Sequence, residues 1–372
     1  TDQNLTEKNP SDKHGMFVLI LKLITCMFNI QIKIPVLATV VPVAVSLFLG
    51  LMPNQLQAQD YTPRSLHSGP SWSPNGYKIA YAASFSGNFD IYTIDIWSRE
   101  RERVSDHPAN DMYPAWSPNG ARLAFYSDRP TEFGPFPPDT VIYNVKGLYE
   151  TYARDGYRPS WAPDNRTIAA HFRSEKGNFE IYTMNSRGRN RVPITNNNAT
   201  DVHPKFSPDG KKIVFLSDRD FQPEIYVMDA DGSNQKRLTN STSFDLDPVW
   251  SPDGKKIAFI SNRLGPFDLF VMNADGTGKL ALTQSPSIDI APVWSPDGSK
   301  ILFSSNRSGY YDLYTIDADG SNLTRLTFAE HHEFYGIWSP SGSRIAFLSN
   351  EPGELHLFLM NADGSRKRKL SY

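Results

Sequence analysis

Apolar residues in this chain come in short bursts that return at a nearly fixed interval. The stretch PVWSPDG stands at 248–254 and again, letter for letter, at 292–298. Variants recur at 70–76 (PSWSPNG), 114–120, 159–165, 204–210 and 336–342. Their anchoring aromatics are Trp72, Trp116, Trp161, Phe206, Trp250, Trp294 and Trp338, at intervals of 44, 45, 45, 44, 44 and 44 residues. A fixed period of this length marks a repeat architecture, and seven units account for nearly everything after residue 67.

Within the unit 246–283 the hydrophobic pattern has a period of two, as half-buried strands do. PVW is a short apolar run, and SPDG is a hairpin turn. Pro252 presets φ, and Gly254 accepts the left-handed conformation. Asn165 takes the glycine's place once, and asparagine is the next most tolerant residue there. KKIAFIS (255–261), DLFVMN (268–273) and LALT (280–283) are the next three strands, and the polar run QSPSID leads to the following unit. Each unit is thus a four-stranded antiparallel meander that cannot bury its own faces. Radial stacking buries them, which is the β-propeller solution. The expected fold is all-β: a seven-bladed propeller over 60–372, almost without helix. Each blade is expected to be complete in itself, with the short stretch 60–66 available to pair along the last one.

The succession W-S-P-D-G, I-A-F, S-N-R, D-L-Y, N-A-D-G and R-L-T resembles the WD40-like (PD40-type) repeat of TolB-type propellers, over roughly residues 68–372. That resemblance implies a propeller that binds proteins of the bacterial cell envelope, as TolB-type proteins bind the lipoprotein Pal. It extends to the propeller alone. The family's type member has six blades preceded by an α/β domain, whereas this chain has seven units and is expected to lack that domain.

The first 60 residues have a different character. Residues 16–28 and 36–52 are strongly apolar, but neither reaches the ~20 residues of a comfortable membrane span. Lys33 precedes the second run and the small residue Ala58 follows it. Charged lead, apolar core and small-residue exit predict a signal peptide cleaved near Ala58, within an N-terminal extension 1–59. An uncleaved anchor is the alternative. The expected location is therefore periplasmic or extracellular, with membrane contact only through this segment if it is retained. The one cysteine, Cys26, lies here, so the mature chain has no disulfide and no thiolate site. A net charge of −2 gives no reason to expect nucleic acid as a partner. The basic run RKRK (366–369) reads as a solvated outer strand.

Repetition offers an internal control: positions that recur in every unit serve the architecture, and polar positions that differ are candidates for function. Five residues before the anchor stand Asp111, Asp201, Asp245, Asp289 and Glu333; thirteen after it stand Arg129, Arg219, Arg263 and Arg307. A carboxylate ring alone would suggest a metal. Acid and arginine are present or absent together in six of the seven units, blade 7 (Glu333 with Glu351) being the exception. This predicts structural ion pairs Asp111–Arg129, Asp201–Arg219, Asp245–Arg263 and Asp289–Arg307, for which bidentate geometry is suited. The NADG aspartates Asp231, Asp275, Asp319 and Asp363 are turn residues.

The irregular positions gather on the face of the inter-blade connections. Three residues before the anchors stand Tyr113, Arg158, His203, Asp247, Ala291 and Tyr335. Arg173, the long loop 130–139, and His331 with His332 share that face. The expected binding residues are Tyr113, Arg158, Arg173, His203, Asp247, Tyr335, His331 and His332, near the mouth of a central channel. The opposite face, of SPDG and NADG turns, is expected to be passive. The function expected is non-catalytic: a monomeric module binding an envelope protein or peptide, with no cofactor and no metal. Two enzymatic alternatives follow from similar propellers. A lyase of the oligogalacturonate type would rest on HHEF (331–334) and His203. The propeller of an S9-type serine peptidase would need a G-x-S-x-G elbow, which does not occur in the chain.

Overall fold

The structure is a computed structural model that describes residues 69–85, 87–129, 139–145, 150–154, 156–351 and 355–371. The N-terminal extension, the stretch 60–66 expected to be available to the last blade, and nearly all of the 130–139 loop lie outside the described residues. Seven sheets, each of four antiparallel strands in sequence order, form the blades, and no strand is shared between them. No helix occurs among the described residues. Every anchor aromatic ends the first strand of its blade.

Blade 4 shows how the unit is made. Its strands are Asp201–Phe206, Lys212–Ser217, Glu224–Asp229 and Lys236–Arg237. Gly210 closes the first turn at φ +71°, and Asn165 does so in blade 3 at +60°. The Ser207 hydroxyl accepts from the Lys212 amide at 2.9 Å, and the Asp209 carboxylate from the Lys211 amide at 3.0 Å. The turn sequence thus satisfies its own backbone.

The middle two strands are buried on both faces, and their sequences are accordingly near-continuous apolar runs. In blade 5 only the terminal Lys256 and Asn273 of Lys256–Ser261 and Asp268–Asn273 escape burial. The core is a series of layers between blades. Val214, Leu216, Ile225 and Val227 of blade 4 meet Ile257, Phe259, Phe270 and Met272 of blade 5. A fully buried side chain such as Phe259 contributes about 2–3 kcal/mol through removal from water.

Two strand extents differ from expectation. The fourth strand of blade 5 is only Leu280–Ala281. Leu282 turns into the core, and the Thr283 hydroxyl, not its backbone, accepts the Leu269 amide at 2.9 Å. The first strand is longer than PVW. It runs Asp245–Trp250, so residues that read as a polar connection are paired.

Inter-blade bonds recur at the inner strands. The indole Nε1 of Trp161 donates to Ala115 O at 3.1 Å, Trp250 to Lys205 O at 3.1 Å and Trp294 to Val249 O at 3.2 Å. Trp72 makes the same bond to Ile337 O at 3.3 Å, joining blade 1 to blade 7. Arg368 adds a bond to Ile96 O at 2.7 Å across that seam, and the Arg344 guanidinium lies 4.2 Å from the centre of the Trp97 ring.

Candidate functional site

The first strand of blade 5 pairs Leu246 with Ile260 and then Val249 with Ala258, so Asp247 and Pro248 together face Phe259 alone. This is a β-bulge, which bends a strand and re-aims a side chain. Pro248 has no N–H to lose from the ladder. The same irregularity recurs in blades 2, 3, 4, 6 and 7. Its first residue has positive φ each time: Tyr113, Arg158, His203, Asp247, Ala291 and Tyr335, between 46° and 57°. Non-glycine residues seldom adopt this conformation, and six blades repeat it at the strand nearest the axis. The variable positions noted in the sequence are therefore one structural position, and their side chains meet around the propeller axis.

They meet as a cluster. The Arg158 guanidinium lies 4.7 Å from the Tyr113 ring centre and hydrogen-bonds that tyrosine's side chain. Asp247 and Tyr335 are within its electrostatic reach. Burial works against the Arg158 charge, but Tyr113, Asp247 and Tyr335 favour it, with a net upward shift. Lys205, two residues beyond His203, joins the group. Burial lowers its pKa and Asp247 opposes that. Burial holds the Tyr335 hydroxyl well above the usual tyrosine range.

An aromatic ladder runs outward from the cluster. Tyr157 stacks on His171 at 5.2 Å, and His171 meets His203 at 5.6 Å. Burial and the Arg158 charge push His171 down to about 3, and the same causes put His203 well below the usual histidine range. Both rings are neutral at neutral pH, and both carry a buried Nδ1 without a hydrogen-bond partner.

No carboxylate lies within salt-bridge distance of Arg158 or Lys205 among the described residues, nor a cation within that distance of Asp247. The position two residues earlier on the same strands is the reverse. Arg219 Nη2 reaches both Asp201 oxygens, at 3.1 and 2.9 Å. Arg263 does so with Asp245 at 2.8 and 2.6 Å, and Arg307 with Asp289 at 3.0 and 2.8 Å. Arg129 lies 3.1 Å from Asp111. One nitrogen spans both oxygens, so the contact is not the parallel fork anticipated. The Nε instead donates to a serine, as Arg263 does to Ser261 at 2.9 Å, while the guanidinium covers the third-strand aromatic, 4.9 Å from Phe270.

Blade 7 solves the same problem with lysines. Lys367 pairs with Glu333 at 2.9 Å and Lys369 with Glu351 at 3.3 Å. Three residues of the basic run 366–369 are thus partnered, Lys367 and Lys369 within blade 7 and Arg368 across the seam, while Arg366 is exposed. His332 accepts the Tyr311 amide through Nδ1 at 3.1 Å, the part Asn110 plays for Phe89 at 3.1 Å. His331 lies 3.7 Å from Glu333. Among the described residues no three His, Cys, Asp or Glu side chains converge to hold a metal ion. Arg173 is exposed at the end of Thr167–Arg173, apart from the axial group.

Two features were missed in the sequence. The acid opening the third strand, as in Asp90, Glu180, Glu224, Asp268 and Asp312, is buried. Arg237 pairs with Glu224 at 2.7 Å and Arg325 with Asp312 at 2.8 Å. Its signal was the D-L-Y motif itself, whose acid looks like a solvated strand end. The second feature is a set of exposed apolar side chains on the connection face: Phe85, Phe221, Leu264, Tyr310 and Phe328. Phe221 is 88% exposed and Phe328 70%. The turn face is also less plain than expected, since Tyr77 and Trp97 are exposed there beside a cleft of about 220 Å³.

Comparison with known proteins follows the repeat. The family model described as the TolB beta propeller domain matches residues 58–133, 150–263 and 240–372. A "Protein TolB homolog" from Chlorobium chlorochromatii is 35% identical over 147 residues, 39% of this chain and 32% of that protein. The chain thus spans about a third of that relative's length. Among solved structures, TolB from Acinetobacter baumannii is 25% identical with a TM-score of 0.53, covering 67% of this chain and 63% of its own. An oligogalacturonate lyase in complex with manganese has a TM-score of 0.64 at 15% identity, covering 79% of this chain and 88% of its own. That second likeness is one of fold.

Proposed function

This chain belongs to the TolB beta propeller domain family, and on that premise we propose that it is a non-catalytic, protein-binding propeller of the bacterial cell envelope. Its partner docks on the face of the inter-blade connections, over the mouth of the axial cluster. The observation that carries this reading is the pairing of two features on one face. Exposed Phe85, Phe221, Leu264, Tyr310 and Phe328 lie on the face onto which the irregular group of Tyr113, Arg158, His203, Asp247 and Tyr335 opens. Aromatic and arginine anchors within an apolar surround are the composition of protein-binding hot spots. The similarity to "Tol-Pal system protein TolB" sequences adds support for an envelope setting. We assign export to the apolar N-terminal segment, with periplasmic residence.

The test is chemical cross-linking of the full chain to envelope extract, with the cross-linked sites mapped by mass spectrometry. Sites on the connection-face loops, abolished by Tyr113→Ala, Arg158→Ala and Tyr335→Ala together, are the expected result. Alanine is a proven occupant of this position, since Ala291 holds the same backbone conformation in blade 6. Cross-links confined to the SPDG and NADG turns, or unaffected by the triple substitution, reject the assignment.

A further inference from the structure

The axial cluster has more cationic groups than carboxylates, and among the described residues neither cation is closed into a salt bridge. Arg158 remains protonated at any working pH. Lys205 stands on the next blade's inner strand, and Asp247 is the one carboxylate in electrostatic reach of both. Elsewhere in the ring this protein pairs its arginines closely: Arg219, Arg263 and Arg307 each hold an acid at 2.6–2.9 Å. A recessed cation without such a partner is costly. In a ring whose repeated arginines are each paired, an arginine with no carboxylate at that distance is open to one supplied from outside.

The ring is also lopsided. Blades 2, 3, 4, 5 and 7 place Tyr113, Arg158, His203, Asp247 and Tyr335 at the bulge, while blade 6 places only Ala291 there. The corresponding residue of blade 1 is Gly69, where even a Cβ would meet Tyr335 at an ordinary 3.6 Å. The side chains that carry charge or a hydroxyl thus come from blades 2 to 5 and 7, and the small residues of blades 1 and 6 stand on either side of Tyr335.

We propose that this axial group is a carboxylate-binding site that seats an acidic side chain of a peptide segment supplied by the partner. Arg158 and Lys205 take the carboxylate, and the Tyr113 and Tyr335 hydroxyls donate to it. Asp247 accepts from a backbone amide or other donor of the same segment. The rings of His203 and His171 complete the wall beside Arg158. A peptide fits better than a free small acid because the same face presents Phe221, Leu264 and Phe328 to solvent, and a chain covers both features at once. This assignment rests on the protein-binding reading above and names the chemistry of the partner.

The experiment titrates the full chain into fluorescein-labelled hexaglutamate at low ionic strength, followed by anisotropy, with hexaglutamine as the uncharged control. Saturable binding of hexaglutamate alone is expected. It should weaken about ten-fold or more in Arg158→Gln and in Lys205→Gln, since each removes one charge-assisted contact. Arg187→Gln, an exposed residue on the opposite face, should leave it unchanged. Thermal midpoints of all three variants establish that they are folded. Equal binding of hexaglutamine, no saturable binding of hexaglutamate, or undiminished binding by folded Arg158→Gln overturns the site. Displacement by trigalacturonate at lower concentration than by unlabelled hexaglutamate overturns the peptide assignment, because the carboxylate then belongs to a sugar acid. The cross-linking result is independent of this titration. A partner mapped to the connection face alongside a negative titration would sink the carboxylate site and leave protein binding standing.

Discussion

Asp245 and Asp247 lie two residues apart on one strand and live by opposite rules. Asp245 is wholly buried, held by Arg263, and recurs as Asp111, Asp201 and Asp289 with the same partner. Asp247 is half-buried at a bulge whose occupant changes in every neighbouring blade. The first position closes a blade on itself. The second faces the axis, where no neighbouring strand dictates what stands there. In a repeat protein the position free of repeat contacts is the one available for a ligand, and here the two kinds alternate along a single strand.

The widest gap between them should appear on removing one member of a pair. Arg263→Met leaves the Asp245 carboxylate buried without its cation, and we expect a loss of about 3 kcal/mol or more in urea unfolding. A loss under about 1 kcal/mol would mean that the repeated pair does not hold the blade, and the contrast with the axis would collapse.

Acid should next expose the axial side. His171 is buried, and its folded pKa is about 3 against roughly 6.5 unfolded. The groups facing it are Arg158, His203, Tyr157 and Phe179. Between these two values the unfolded chain binds the proton and the folded one does not. Stability is therefore complete above about 6.5 and falls as pH drops, by about 2 kcal/mol for this residue by pH 5. His203 adds to the loss with the same sign. Unfolding midpoints measured between neutral pH and pH 5 check this, and His171→Phe should flatten the slope. An unchanged slope in that variant would place the acid sensitivity elsewhere.

The smallest effect sharpens the comparison most. Arg158→Ala removes a stack over Tyr113 but also a desolvated cation, and Ala291 shows that the backbone accepts the residue. Stability should change by less than about 1 kcal/mol. Measured beside Arg263→Met in the same urea series, it separates an arginine that holds the fold from one that does not.

The blades were legible because their information is local. The period, the SPDG turn and the alternation in KKIAFIS each announce themselves within a few residues, and all seven anchors fall on equivalent strands. The ion partners could be read as well, since acid and arginine come and go together. The bulge was not legible. Tyr113, Arg158, His203 and Tyr335 are not the Gly or Asn that advertise positive φ, and a side chain aimed at the axis looks from sequence like one on a rim. Asp268 and Glu224 were missed for a related reason. A charge at a strand end normally meets water, and here the fourth strand and the connection after it fold over the carboxylate. Gly156 shows the same dependence, since a Cβ there would strike Phe172 and Thr140 at 2.6 Å.

The bond from Trp72 to Ile337 has a consequence for where this ring can be cut. It is the same indole-to-carbonyl link that joins blades 2 and 3, 4 and 5, and 5 and 6, so the seam carries the bond of an interior joint, to which Arg368 and Arg344 add contacts of their own. The break in the polypeptide could therefore sit at a joint that lacks this link, with the four links preserved. The joint between blades 3 and 4 is one such place, because the Phe206 side chain has no N–H to donate, and the indoles of Trp116 and Trp338 make no such bond at theirs. A circular permutant that links residue 371 to residue 69 and opens between Pro193 and Asp201 would keep all four of those indole links.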